Sequence, residues 1–170
     1  MRTRVAMSLP DPSLEAAYQI ALRYLGHAPR SRAQIERRLT RGGFAPDIIA
    51  QVIDRLQSRG WVDDAQFARD WIDDRADRKR YGRRRLAQEL RCRGVPAEQI
   101  EAALERLSPE AEIARALAAL RARWEPQVLL QADPMSLRTE KQRIARFLQH
   151  RGFESDIITE ALRQFLTPEE

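Results

Sequence analysis

Residues 75–86, RADRKRYGRRRL, set seven basic side chains and Tyr81 against a single acid, Asp77. A guanidinium is a planar fork of donors that meets phosphate or carboxylate oxygens two at a time, so such a run suits a polyanion or an acidic protein surface. The candidate binding residues are therefore Arg75, Arg78, Lys79, Arg80, Tyr81, Arg83, Arg84 and Arg85. Tyr81 can stack on a base, although a structural hydroxyl at the turn is the commoner use of tyrosine in such a place. A solvated helix end is the plain alternative for the whole strip. Of the 30 basic residues 28 are arginine, so placement weighs more than number.

Other chemistry is scarce. Asp63-Asp64 and Asp73-Asp74 invite a metal-dependent nuclease, but Asp63 and Asp64 directly precede a helical pattern, where aspartate is a preferred N-cap. Asp73, Asp74 and Asp77 fall opposite the apolar face of that helix, and Asp74 can pair with Arg78 one turn on. Cys92 is the only cysteine and stands between Arg91 and Arg93 with no histidine near it in sequence, which fits a structural or surface thiol better than a nucleophile. With only His27 and His150 as imidazoles, no zinc cluster is expected. Gly42-Gly43 is the only glycine pair, so no phosphate-cradling loop is present, and neither catalysis nor a cofactor is expected.

The elements that carry the strip come from an internal repeat. Residues 35–56, 86–107 and 144–165 align without gaps. In each copy an apolar residue (Ile35, Leu86, Ile144) is followed four positions later by Leu39, Leu90 or Leu148, on the same helical face. Gly43, Gly94 or Gly152 follows, where a left-handed helix end favours glycine. An apolar plug (Phe44, Val95, Phe153) and an acid (Asp47, Glu98, Asp156) then open a second helix, which runs Ile49, Val52, Ile53, Leu56, or Ile100, Ala103, Leu104, Leu107, or Ile158, Ala161, Leu162, Phe165. Amphipathic stretches at 14–25, 65–80 and 110–124 precede the pairs.

The expectation is an all-α chain of nine helices in three tandem three-helix units: 13–60, 61–107 and 108–170, after a flexible tail at 1–12. The third unit contains the longer connection WEPQVLLQADPMS. A unit of about 50 residues buries little surface alone, so neighbours should pack in series into an elongated molecule able to curve; one compact nine-helix globule is the alternative. Trp71 belongs on the apolar face as core, and Trp61 plugs the junction between units. Leu86 and Leu90 face the core, so some of Arg83, Arg84 and Arg85 must project outward.

Net charge is +5, but residues 75–94 hold nine basic groups against Asp77 and Glu89, a patch able to attract polyanions. No stretch approaches the roughly 20 apolar residues of a membrane span. The opening residues MRTRVAMSLPDPS lack the apolar core of a signal peptide. A cytoplasmic, monomeric protein without membrane contact is expected.

The run GWVDDAQFARDWIDDRADRKRYGRRRLAQELRCRGV (60–95) resembles the signature of the RecX family, through Gly60, Val62, Asp63-Asp64, Phe67-Ala68, Arg75, Gly82, Leu86, Leu90, Gly94 and Val95. The preceding unit, 21–44, is similar as well, including Arg30-Ser31 before its second helix. The resemblance spans residues 14–107 and extends to 109–166. It implies tandem three-helix repeats and a regulator that binds within the groove of the RecA filament on single-stranded DNA. Such a regulator inhibits RecA's ATPase, strand-exchange and coprotease activities in recombination and the SOS response. Double-stranded DNA is a further expected partner, and a free helix-turn-helix-like DNA-binding module independent of RecA is the alternative. The repeat itself is testable: Leu90→Asp places an unpaired charge at a core anchor, which should cost about 4 kcal/mol and unfold the middle unit, read as lost helicity by circular dichroism.

Overall fold

Proline opens several helices of this chain and left-handed glycine closes others. The computed structural model describes residues 12–167, which form ten helices and no strand. They are α1 (Pro12–His27), α2 (Arg32–Arg41), α3 (Pro46–Ser58), α4 (Asp64–Lys79), α5 (Arg83–Arg93), α6 (Ala97–Leu104), α7 (Pro109–Arg121), α8 (Pro126–Leu130), α9 (Pro134–His150) and α10 (Ser155–Phe165). Except for Pro12, the expected tail at 1–12 lies outside the described residues. The expectation of nine helices is corrected to ten. The long connection of the third repeat holds its own short helix, because Pro126 suits a first helical position and Asp133-Pro134 then restarts the chain as an N-cap and first residue. The aligned anchors behave as the repeat requires. Leu39, Leu90 and Leu148 are fully buried, and Gly43, Gly94 and Gly152 take φ values of +80°, +79° and +85°. Leu107, read as part of a helix, lies beyond the end of α6.

The chain divides after Phe67 into two compact units. In the first, α1, α2 and α3 enclose Ala17, Tyr18, Ile35, Leu39, Val52 and Ile53. Tyr18 lies under the Arg55 guanidinium, 3.9 Å from its ring centre, and its hydroxyl accepts from Arg59 at 2.8 Å. A capping box opens α2: Ser31 Oγ accepts from the Gln34 N–H, and the Ser31 N–H donates to Gln34 Oε1 at 3.1 Å. The next N–H, that of Arg32, donates at 2.7 Å to Asp64 Oδ1. Asp64 therefore serves α2 and not, as expected, its own helix, whose start is held by Asp63 accepting from the Gln66 N–H at 3.0 Å. Burial pushes the Asp64 carboxyl above the usual range, against the lowering effect of the Arg32 N–H. Trp61 is corrected from plug to surface, being 51% exposed.

The second unit holds the rest of α4 and α5–α10. Ile72, Ala76, Leu86, Leu90, Val95 and Ile100 are buried, and a further core joins Leu120, Ile144, Leu148, Phe153, Ile158 and Phe165, where α10 packs chiefly on α7. Trp124 meets Phe147 edge-on with ring centres 5.0 Å apart. Trp71 is only half-buried: its indole N–H donates to Glu89 at 3.1 Å, and the Arg75 and Arg93 guanidiniums lie 4.4 and 3.5 Å from its ring centre. It is a polar-edged stack more than the core residue expected.

The start of α5 is fixed by the third repeat. The Gly82 N–H donates to the Arg151 carbonyl at 2.9 Å, and the Arg84 N–H to the Gly152 carbonyl at 3.0 Å. The Arg83 N–H donates to Glu112 Oε1 at 2.8 Å, and Glu112 is only 3% exposed. Backbone meets backbone here because neither glycine has a Cβ. One at Gly82 would stand 2.5 Å from the Gly152 oxygen, and one at Gly152 would stand 2.3 Å from the Arg85 nitrogen.

Gly152→Ala should therefore cost about 3 kcal/mol in chemical denaturation, combining left-handed strain with overpacking. Gly43→Ala, whose Cβ would meet open space, should cost about 1 kcal/mol for the strain alone. Glu112→Ala leaves the Arg83 N–H unsatisfied and should cost about 2 kcal/mol, with Glu112→Gln, which keeps an acceptor, costing less.

Candidate functional site

The strip runs from the last turn of α4 through a three-residue turn into the first turn of α5, and the structure sorts its members by what holds them. Arg75 is half-buried over Trp71, with its Nε 3.6 Å from Glu89 Oε2. Arg83 is also tied inward. Its guanidinium donates to the Leu107 carbonyl at 2.8 Å and stands 3.7 Å from Glu112 Oε2. The sequence treats Arg83, Arg84 and Arg85 alike; only Arg84 and Arg85 are exposed.

Arg78, Lys79 and Arg80 are exposed at the end of α4. Arg78 forms the expected pair with Asp74 at 2.8 Å, a surface contact worth little. The Lys79 carbonyl accepts from the Arg151 guanidinium. Arg80 has φ 51°, the one positive φ outside glycine among the described residues, and this sharp reversal ends α4 and aims the turn at α5. Tyr81 departs from the structural-hydroxyl expectation. Its ring centre lies 5.3 Å from the Arg85 guanidinium, and its hydroxyl finds no partner among the described residues. The structure thus gathers Arg78, Lys79, Arg80, Tyr81, Arg84 and Arg85 on a surface, and assigns Arg75 and Arg83 to its support. Arg115 of α7 has its basicity lowered by desolvation, despite the opposing influence of Glu112 and Asp77.

Beside the strip lies a groove of about 1020 Å³ that the sequence did not suggest. Arg84, Gln88 and Arg91 enter it from α5, Glu101 from α6, Glu105 from just past its end, and His150 from the end of α9. Arg91 could have been found from its spacing, since 84, 88 and 91 share one helical face. The contribution of the α9–α10 turn had no signal in sequence, being set by the Gly82–Gly152 approach. The acidic pairs do not converge on a metal site: Asp63 and Asp64 cap two different helices, and Asp73 and Asp74 are exposed. Among the described residues no group of three His, Cys, Asp or Glu side chains is placed to hold an ion, and no helix is long and apolar enough to cross a membrane.

Three family models match the chain: the first three-helix domain of RecX over residues 17–56, the second over 63–104 and the third over 129–162. The third match takes in α9 and most of α10, and leaves α7 outside. The regulatory protein RecX of Thermobifida fusca is 36% identical over 160 residues, covering 94% of this chain and 84% of its own. That of Mycobacterium ulcerans is 33% identical over 164 residues, with 93% and 92% covered. The crystal structure of RecX from Lactobacillus salivarius shares the fold with a TM-score of 0.81 at 19% identity, covering 90% of this chain and 96% of that one. Matched in sequence along nearly its whole length and in the succession of its three-helix domains, the chain belongs to the RecX family of regulatory proteins.

Proposed function

We propose that this chain binds the RecA filament on single-stranded DNA and restrains its ATPase, strand-exchange and coprotease activities, as a non-enzymatic, cytoplasmic regulator of recombination, DNA repair and the SOS response. The observation that carries this reading is the exposed basic surface at the α4–α5 turn, which is held at its root by backbone hydrogen bonds to Arg151 and Gly152 and by the buried Glu112. A preorganised set of charges loses little freedom on binding, so more of its attraction for phosphates or carboxylates is retained as affinity. Lys79, Arg80 and Arg84 make no ion pair among the described residues and are therefore available. Inhibition follows if the chain binds one filament geometry better than the geometry that turns over ATP, since a ligand shifts an equilibrium only by its differential affinity. No cofactor enters the scheme, and a monomer suffices.

The test is RecA ATP hydrolysis on single-stranded DNA, titrated with this protein below stoichiometry. The wild type should inhibit. The variant K79E/R80E/R84E should require about tenfold more protein for the same effect while keeping its helicity. Absence of inhibition by the wild type, with DNA binding that falls steeply with salt, would favour the free DNA-binding module instead.

A further inference from the structure

The groove beside the strip does not look like a continuation of a phosphate-binding surface. On its α5 side Arg84 and Arg91 make no ion pair among the described residues, whereas Arg83 and Arg85 are engaged with Glu112 and Glu89. Its other sides carry Glu101 of α6 and Glu105, the residue that caps the C-terminal end of α6 four positions on, and Glu154 at the start of α10, where it makes no side-chain cap. None of these three carboxylates has a partner among the described residues. The groove is thus lined by charge of both signs, Arg84, Arg85 and Arg91 facing Glu101, Glu105 and Glu154, with His150 a further titratable side chain.

A nucleic-acid backbone laid there would meet Arg84, Arg85 and Arg91 but also three carboxylates at close quarters. Like charges facing one another across an interface cost enough to exclude a partner. A polypeptide surface can satisfy both walls at once, presenting carboxylates to Arg84 and Arg91 and a lysine or arginine to Glu101 and Glu105. The separation along α5 from Arg84 to Arg91 is two helical turns, about 10 Å, enough to read a row of side chains. We infer that this groove is a protein-docking site for a mixed-charge polypeptide surface, adjoining the exposed basic turn and sharing Arg84 with it. Resting on the filament-binding reading above, this divides the labour: the turn addresses phosphates and the groove addresses protein.

The sign of one charge reversal separates the two kinds of occupant. E101K/E105K alters exposed residues only, and a lysine at Glu105, which closes α6, is favoured by the helix dipole, so the variant should fold as judged by circular dichroism. Its affinity is measured for RecA-coated oligo(dT) and for bare oligo(dT), beside Arg91→Glu. Expected is about tenfold weaker binding of the coated oligonucleotide by both variants, with bare oligonucleotide bound by E101K/E105K no more weakly than by wild type. If E101K/E105K binds the coated oligonucleotide as well as wild type or better, the behaviour of a phosphate-backbone occupant, the docking site is overturned and the filament reading stands. If the wild type binds only bare oligonucleotide, both are overturned.

Discussion

The second helix of each of the first two repeats begins with backbone N–H groups that no residue of that helix accepts in full, and both times a buried carboxylate from the next repeat's first helix supplies the missing acceptor. Asp64 of α4 takes the Arg32 N–H at the start of α2, and Glu112 of α7 takes the Arg83 N–H at the start of α5. Arg32 and Arg83 are 51 residues apart, the same interval that separates Leu39 from Leu90. The positive end of a helix attracts an anion, and a carboxylate removed from water satisfies a buried donor strongly. These two acids and Ser31 are the buried polar residues of the described chain, and all three sit at these helix starts. Each of the first two repeats is thereby completed by a residue of its successor.

That dependence explains why the basic strip is not uniform. A helix start that must be capped from outside draws its flanking residues inward, so Arg83 is held by Glu112 and Leu107 while Arg84, one position on, is left on the surface. The Gly82–Gly152 approach sets how near the third repeat can come, and so brings His150 and Glu154 to the same groove as Arg84 and Arg91. One constraint supports the surface and shapes what lies beside it. Arg80 in its left-handed conformation completes the turn, and the Arg151 guanidinium on the Lys79 carbonyl holds the end of α4 from the other side.

Much of the fold was legible in the sequence because helical periodicity and glycine conformation are local properties. The spacing of Ile35 and Leu39, or Leu86 and Leu90, marks an apolar face whatever lies opposite, and a left-handed residue after a helix favours glycine for a reason contained in its own backbone. The short α8 escaped that reading because the prolines of a long connection mark a helix start as readily as a loop. Of the candidate site, the solvent-facing residues Arg78, Lys79, Arg80, Arg84 and Arg85 were legible as a charge run. Trp61 and Trp71 were misplaced because side chains this large are divided between core and surface by their neighbours.

What the sequence by itself determined is the all-helical repeat, its core anchors and the existence of a concentrated basic turn, each decided by residues within a few positions of one another. Tertiary structure alone decided which arginines are tied and which are free, which helix Asp64 and Glu112 cap, and that a groove of mixed charge lies next to the strip. Those outcomes depend on partners far along the chain, 29 residues away between Arg83 and Glu112 and 72 between Lys79 and Arg151. No local pattern encodes such a partner. It is selected when packing brings distant segments together, most strongly where, as at Glu112, the acceptor is buried and a backbone donor would otherwise go unsatisfied.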